Sequence, residues 1–206
     1  MNIKKSNSHS NSLEKDQALI APPQVEHSSV TTNTILGTSK NDDLTGTNGN
    51  DYIYGDDGND EIYGANGYDY LDGGNGDDYI VVGKTSNATG GNGSDTFYAV
   101  INPNSVNGGE SGINGYHSLI TDFTQGEDVI DINVGKFNSI KEGISHDAHT
   151  LGYHFENGQT IIQSADGATA FKLVLNGEIH LNNSDFVSFG NALDNIELPN
   201  SDFPLN

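Results

Sequence analysis

The chain of 206 residues contains no cysteine, no tryptophan and no arginine. Without cysteine, disulfides, thiolate nucleophiles and Cys-ligated zinc are excluded. Basic residues are scarce: eight, all lysine, stand against 29 acidic ones, for a net charge of −21. Such a chain repels DNA, RNA and anionic membranes, so no nucleic acid partner is expected. Apolar residues make up only 33 %, too few for a large oily core. No apolar run approaches the ~18 residues of a membrane helix, so no span is expected. The first 33 residues are rich in Ser, Asn and Lys and lack the apolar stretch of a secretory signal peptide. The expectation is a cytosolic chain, or one exported without a cleaved N-terminal signal. High charge with low hydrophobicity also marks disorder, but nine Tyr and eight Phe argue for ordered packing.

What is abundant is glycine, 26 of the 206 residues, nearly twice its ordinary share. From Gly37 onward it recurs in phase. Asp42, Asp51, Asp60, Asp69 and Asp78 follow one another every nine residues, and two places after each stands Leu44, Ile53, Ile62, Leu71 or Ile80. The blocks are GTSKNDDLT (37–45), GTNGNDYIY (46–54), GDDGNDEIY (55–63), GANGYDYLD (64–72) and GGNGDDYIV (73–81). VGKTSNAT (82–89) reads as a degenerate repeat with a deletion. In GGNGSDTFY (90–98), Asp95 and Phe97 take the familiar places. The pattern is G-G-x-G-x-D-x-U-x, with U a large apolar residue. The x-U-x triplet makes a short strand with only U pointing inward. The six residues before it reverse the chain, through backbone angles open to Gly, Asn and Asp. Two nonapeptides then complete one 18-residue coil, and the turns stack in two columns.

Stacked turns of this kind present carbonyl oxygens and one carboxylate each. Oxygen ligands alone suit a hard cation, and calcium more than magnesium, which dehydrates reluctantly. The repeats hold no His or Cys, which argues against zinc or copper. The candidate metal-binding residues are Asp42; Gly46, Asn48, Gly49 and Asp51; Gly55, Asp57, Gly58 and Asp60; Gly64, Asn66, Gly67 and Asp69; Gly73, Asn75, Gly76 and Asp78; Gly90, Asn92, Gly93 and Asp95; and, beyond the repeats, Asp122 and Asp128. Residues 37–98 carry 12 acidic side chains and two Lys, a net of −10. About four or five calcium ions would nearly cancel that charge. The U residues make a thin core, unable to offset the ordering of some 60 residues of backbone. Ion binding is therefore expected to supply folding energy.

These blocks resemble the RTX family of secreted bacterial proteins. Further on, SLITDFTQGEDVIDI (Ser118–Ile132) is similar to the D-x-I-x-D-F-x-x-G-x-D-x-I-D-L segment that closes the β-roll of serralysin-type proteases and of the R-modules of secreted alginate epimerases. Asp122, Phe123, Gly126, Asp128, Ile130 and Asp131 match, and Ser118 stands where that motif has its first Asp. Phe171–Phe189 looks like the last strands of such modules. The resemblance implies an all-β fold, a parallel β-roll with an antiparallel β cap, over about 37–190. It also implies calcium as the ligand, export through a type I secretion apparatus guided by an uncleaved C-terminal signal, and an extracellular location. The expected organisation is a disordered arm (1–33), the roll (34–98), a C-terminal cap (99–190) and a polar tail (191–206), the tail being either part of a secretion signal or an unrelated extension.

In the cap, short β-like runs are expected at Ser118–Phe123, Asp128–Ile132, Thr160–Gln163, Phe171–Leu175 and Phe186–Phe189, with a short helix within 136–148. Phe97 is placed to meet Phe123, Ile130 and Ile132, and Asp122, Glu127 and Asp128 to help hold the last ion near Asp95. No catalysis is expected: H-E-x-x-H, G-x-S-x-G and the P-loop lysine are all missing. His146, His149 and His154, with Asp147, form a zinc candidate whose competing reading is scattered surface histidine. Tyr52, Tyr54 and Tyr70 should share one outer face, with Tyr63 and Tyr79 on the opposite one. Such a ladder stacks sugar rings or a partner protein, or simply reflects strand preference. The expected function is a secreted calcium-binding module of structural or adhesive role. The rivals are a carbohydrate (polyuronate)-binding accessory module of the epimerase R-module kind, and a small enzyme or toxin with a site in 99–190.

Overall fold

The nine-residue period becomes two facing parallel sheets. The computed structural model describes residues 32–83, 86–99, 118–132, 137–147, 149–163 and 172–187. Strands β1 (Thr32–Leu36), β3 (Asn50–Asp57), β5 (Tyr70–Asn75) and β7 (Asn87–Asn92) stack in one sheet. Strands β2 (Asp43–Thr45), β4 (Glu61–Tyr63), β6 (Tyr79–Val82) and β8 (Thr96–Ala99) stack in the other. Tyr52 lies opposite Tyr70 and Ile62 opposite Ile80, which is the 18-residue coil. Because only the middle residue of each triplet points inward, Leu44, Ile53, Ile62, Leu71, Ile80 and Phe97 form a single buried row between the sheets.

The deletion in 82–89 is absorbed before β7, which pairs with β5 one residue short: Leu71 faces Ala88 and Asn75 faces Asn92. Ala88 thus fills the U place, and the buried Ser86 stands where the repeat has Asp. The roll opens at Thr32, slightly inside the segment expected to be an arm. The rest of that arm and the tail, 191–206, lie outside the described residues.

The roll also runs further than residue 98. Strand β9 (Ser118–Ile120) adds to β7, and β10 (Val129–Ile132) adds to β8, both in parallel. Residues 123–131 are one more nonapeptide: Gly126, Asp128 and Ile130 occupy the places of Gly93, Asp95 and Phe97. Ile130 faces Phe97, Ile132 faces Ala99, and the rings of Phe97 and Phe123 lie 6.4 Å apart. The antiparallel part comes later. Strand β14 (Lys172–Asn176) pairs in parallel with β9 and antiparallel with β13 (Gln159–Gln163), which pairs antiparallel with β12 (Thr150–Glu156). The β12–β13 turn is Asn157-Gly158, both at positive φ (54° and 76°), as a tight hairpin requires.

Two expectations for this region fail. No helix forms among the described residues of 136–148; Ser139–Glu142 is strand β11, parallel to β12 and tied to it by the Ser139–Thr150 hydroxyl pair at 2.8 Å. The segment has no apolar stripe of helical period, and pairing with β12 satisfies its backbone instead. Phe186 does not begin a strand; it follows a 3-10 turn at Asn183–Asp185, closed by a capping box with Asn182, and makes a lone bridge to Ile130. Among the described residues no helix is long and apolar enough to cross a membrane.

Phe97 is fully buried and packs between the coil of Ile80 and the last coil of the roll, that of Ile130 and Phe123. Phe97→Ala should cost about 3–5 kcal/mol, read by denaturant unfolding in excess calcium. Tyr52→Ala, at a site 46 % exposed, should cost under about 1 kcal/mol.

Candidate metal centre

The turns that leave the first sheet, 37–42, 55–60, 73–78, 90–95 and 123–128, form one column; turns 46–51 and 64–69 belong to the other. Each ends on a repeat Asp, and every one after the first of its column reaches back one coil with its side chain. Oδ1 of Asp60 accepts the Asp42 N–H at 2.8 Å, Asp78 that of Asp60 at 2.8 Å, Asp95 that of Asp78 at 3.0 Å, and Asp128 that of Asp95 at 3.0 Å. In the second column Asp69 accepts from Asp51 at 3.0 Å. The carboxylates are the rungs of a ladder joining five stacked turns.

The second oxygen decides the chemistry. Oδ2 of Asp60, Asp69, Asp78 and Asp95 is buried and receives no hydrogen bond. Leaving one such atom unsatisfied costs about 1–3 kcal/mol, more when it is charged. Around each lies more oxygen. A Cβ on Gly55 would collide with both Asp60 Oδ2 and the Gly73 carbonyl oxygen; one on Gly73, with Asp78 Oδ2 and the Gly90 carbonyl oxygen. Cβ atoms on Gly64 and Gly90 would strike Asp69 Oδ2 and Asp95 Oδ2. Glycine here keeps open a cradle lined by acceptors. No three His, Asp or Glu side chains converge among the described residues. A cation in the cradle would therefore be held by single carboxylates and backbone carbonyls, a donor set that fits calcium and not zinc. When bound, the ion would neutralise the buried charge and give each stray oxygen its partner.

The same geometry shifts the acids. Burial pushes Asp69 and Asp78 up to about 6 and Asp95 up to about 7, with neighbouring carboxylates adding to the effect. Asp60 is raised for the same two reasons.

Other candidates have protein partners. Asp42 Oδ2 accepts from Thr38 N at 2.6 Å and Thr38 Oγ at 2.8 Å; Asp51 Oδ2 from Thr47 N at 2.6 Å and Oγ at 3.1 Å; Asp128 Oδ2 from Thr124 N at 2.7 Å. Burial raises the Asp51 carboxyl, but the Thr47 and Asn33 donors outweigh it and hold the group below its ordinary value. Asp122 spends both oxygens on backbone amides, Gly90 at 3.0 Å and Gly91 at 2.9 Å. Asp122 and Asp128 thus join the last coil to the Asp95 turn by hydrogen bonds, while Glu127 stays exposed. The third-position side chains bond one another on the outer surface: Asn75 to Asp57 at 2.7 Å, Asn92 to Asn75 at 2.7 Å, Asn66 to Asn48 at 2.9 Å. What they can offer an ion is their carbonyls. Of the fourth-position glycines, Gly58, Gly67, Gly76 and Gly93 adopt φ between 124° and 137°, and Gly49 does not share that conformation. A Cβ on Gly76 would run into the Gly58 carbonyl.

A further ladder, at the fifth position, was not anticipated. Asn41 Oδ1 accepts from Asn59 N at 3.0 Å, Asn59 Oδ1 from Asp77 N at 3.2 Å, and Asp77 Oδ1 from Ser94 N at 2.9 Å. Its signal was the Asn that recurs just before the repeat Asp. The histidines do not gather: His149 faces Asp147 at 3.6 Å and His154 faces Glu156 at 4.0 Å, both at the surface, and His146 is exposed. The tyrosines fall as expected, with Tyr70 at 6.1 Å from Tyr52 and 5.8 Å from Tyr54 by ring centroids, and Tyr79 against Tyr98 at 5.8 Å on the other sheet.

Calcium requires the carboxylates ionised, so binding releases protons. Calcium affinity should therefore fall as pH drops from about 8 to about 5.5, through the values near 7 and 6 of Asp95, Asp78 and Asp69. In excess chelator the sign reverses. The folded chain then holds protons more tightly than the unfolded one, so residual stability should fall as pH rises from roughly 4 to 7. Calcium titrations and thermal melts at both pH values check the pair.

A family model described as the RTX calcium-binding nonapeptide repeat (4 copies) matches residues 36–71 and 55–86. No curated protein matches the chain. Among solved structures the chain is similar to the AlgE6R3 subunit of the Azotobacter vinelandii mannuronan C5-epimerase, with 29 % identity over 86 % of this chain and 92 % of that one, at a TM-score of 0.36. It is also similar to the AlgE6R2 subunit of that enzyme, with 25 % identity over 70 % of this chain and 84 % of the other, at a TM-score of 0.37. The repeat match and the oxygen cradles of Asp60, Asp69 and Asp78 meet on the same turns: residues 36–86 match RTX calcium-binding nonapeptide repeats, and the fold is a calcium-binding β-roll.

Proposed function

We propose that the chain is a secreted module that folds outside the cell as calcium enters its turns, and that it serves as a structural or adhesive element without catalysis of its own. One observation carries the reading: four buried carboxylate oxygens without a partner, set among backbone carbonyls in a segment of net charge −10. In low calcium those oxygens and their mutual repulsion oppose the compact state. A chain kept unfolded in this way is a suitable passenger for a type I secretion apparatus, and extracellular calcium, in the range of the weaker known sites, then drives folding. The buried repeat acids stand one per turn, each with an oxygen held by a backbone amide, an arrangement that supports ion binding more than paired acid–base work.

A second reading, carbohydrate binding, is favoured by the cluster of Tyr52, Tyr54 and Tyr70 rings and by the open groove beside it, lined by Leu36, Tyr54, Asp56, Asp72 and Asn75 among others. Saturable binding of a polysaccharide that Tyr52→Ala and Tyr70→Ala abolish, with calcium uptake unchanged, would establish it.

The main reading predicts that far-UV circular dichroism shows β-structure appearing as calcium is added to chelated protein, and lost again in excess chelator. Equal β-content and equal thermal stability in chelator and in calcium would overturn it.

A further inference from the structure

Seven described turns end on a repeat Asp, and they divide into two kinds by a single residue, the second of the turn. In four turns it is Asp56, Ala65, Gly74 or Gly91, all in the left-handed region with φ of 80°, 65°, 104° and 103°. In these four the Asp Oδ2 is buried without a donor. In the other three it is Thr38, Thr47 or Thr124, none at positive φ. There the threonine amide, joined at Thr38 and Thr47 by the hydroxyl, donates to that oxygen. Left-handed backbone is unfavourable for a residue with a side chain, yet Asp56 and Ala65 adopt it, which leaves Oδ2 of Asp60 and of Asp69 open.

We propose that these threonines stand in for calcium: ions enter at the turns of Asp60, Asp69, Asp78 and Asp95, and the turns of Asp42, Asp51 and Asp128 take none. This rests on the calcium-folding reading above and deepens it. An N–H and a cation compete for the same oxygen: Thr38 and Thr47 fill both lone-pair sites of their Oδ2, Thr124 fills one, and the positive end of the amide repels an ion placed beside it. The three threonine turns are the first of each column and the last described turn of the first column. At an end, an ion would find a neighbouring coil on one side only and lack part of its shell; a protein donor completes the terminal carboxylate instead. Both extremes of the longer column add to this. Lys40 stands where other turns have their fourth-position glycine, and Phe123 stands where the cradle needs its first.

Turn 46–51 is the most direct test, because it keeps both of those glycines in sequence and differs by its threonine and by the conformation of Gly49. Around Gly46 lie the Gly64 carbonyl oxygen and, at 2.8 Å from where a Cβ would stand, Asp51 Oδ2. Thr47→Gly should open this turn, and Ala65→Thr should close the turn of Asp69. The experiment counts calcium ions per full-length chain by isothermal titration and by native mass spectrometry, with calcium chloride as the probe and circular dichroism following folding. The expected counts are four for the wild type, one more for T47G and one fewer for A65T. Thr47→Val keeps the amide donor and should leave the count at four. A wild type that folds with calcium while T47G and A65T bind as many ions as it does would overturn this inference alone, as would a wild type holding one ion for each of the seven turns. A wild type that takes up no calcium would overturn the proposed function as well.

Discussion

The fold depends on a carboxylate shared between two coils. Every repeat Asp after the first of its column places one oxygen on the amide of the Asp one coil earlier, and so fixes the spacing and register of the stack. The other oxygen turns inward, where the protein offers acceptors and, in four turns, no donor. Half of the interaction is thus supplied by the chain, and half is left to a cation. The U residues alone form too narrow a row to compensate. This division makes the stack conditional on its medium.

Glycine enters the same account as a matter of space. At the first position it leaves room for carboxylate and carbonyl oxygens to approach one another; at the fourth it lets the carbonyl of the preceding coil pass where a Cβ would stand, as Gly58 does beneath Gly76. Outside this inner ring, Asp57, Asn75 and Asn92 bond one another directly, and Asn41, Asn59 and Asp77 cap the amides of the next coil. These outer ladders need no ion. They bring the turns into contact in register, while the inner oxygens oppose it until charge is neutralised.

Much of this was legible in the sequence because the repeat is a local code. The period gave the two columns, the U positions gave the core row, and the Phe97–Phe123 contact forms as read, but between two coils of one roll and not between roll and cap. What was not legible depends on geometry that residue type does not reveal. Thr47 and Ala65 occupy equivalent places in similar blocks, yet the sign of φ at each decides whether Oδ2 has a donor. Residues 123–131 hide a further nonapeptide, since Phe123 replaces its first glycine and a long insertion separates it from Asp95. Ser86 hides the missing carboxylate of the second column within the deletion. Strands β11 and β12 were not anticipated: β11 is a short polar run, SIKE, with one apolar residue, while in β12 Leu151, Tyr153 and Phe155 do alternate with Gly152 and His154.

The central claim is that the carboxylate ladder holds only when its inner oxygens are paired with a cation. Amide hydrogen exchange at Asp42, Asp60, Asp78 and Asp95, the donors of that ladder, tests it most directly. The account predicts strong protection of all four in millimolar calcium and its joint loss in excess chelator. Undiminished protection of these amides in chelator would contradict it.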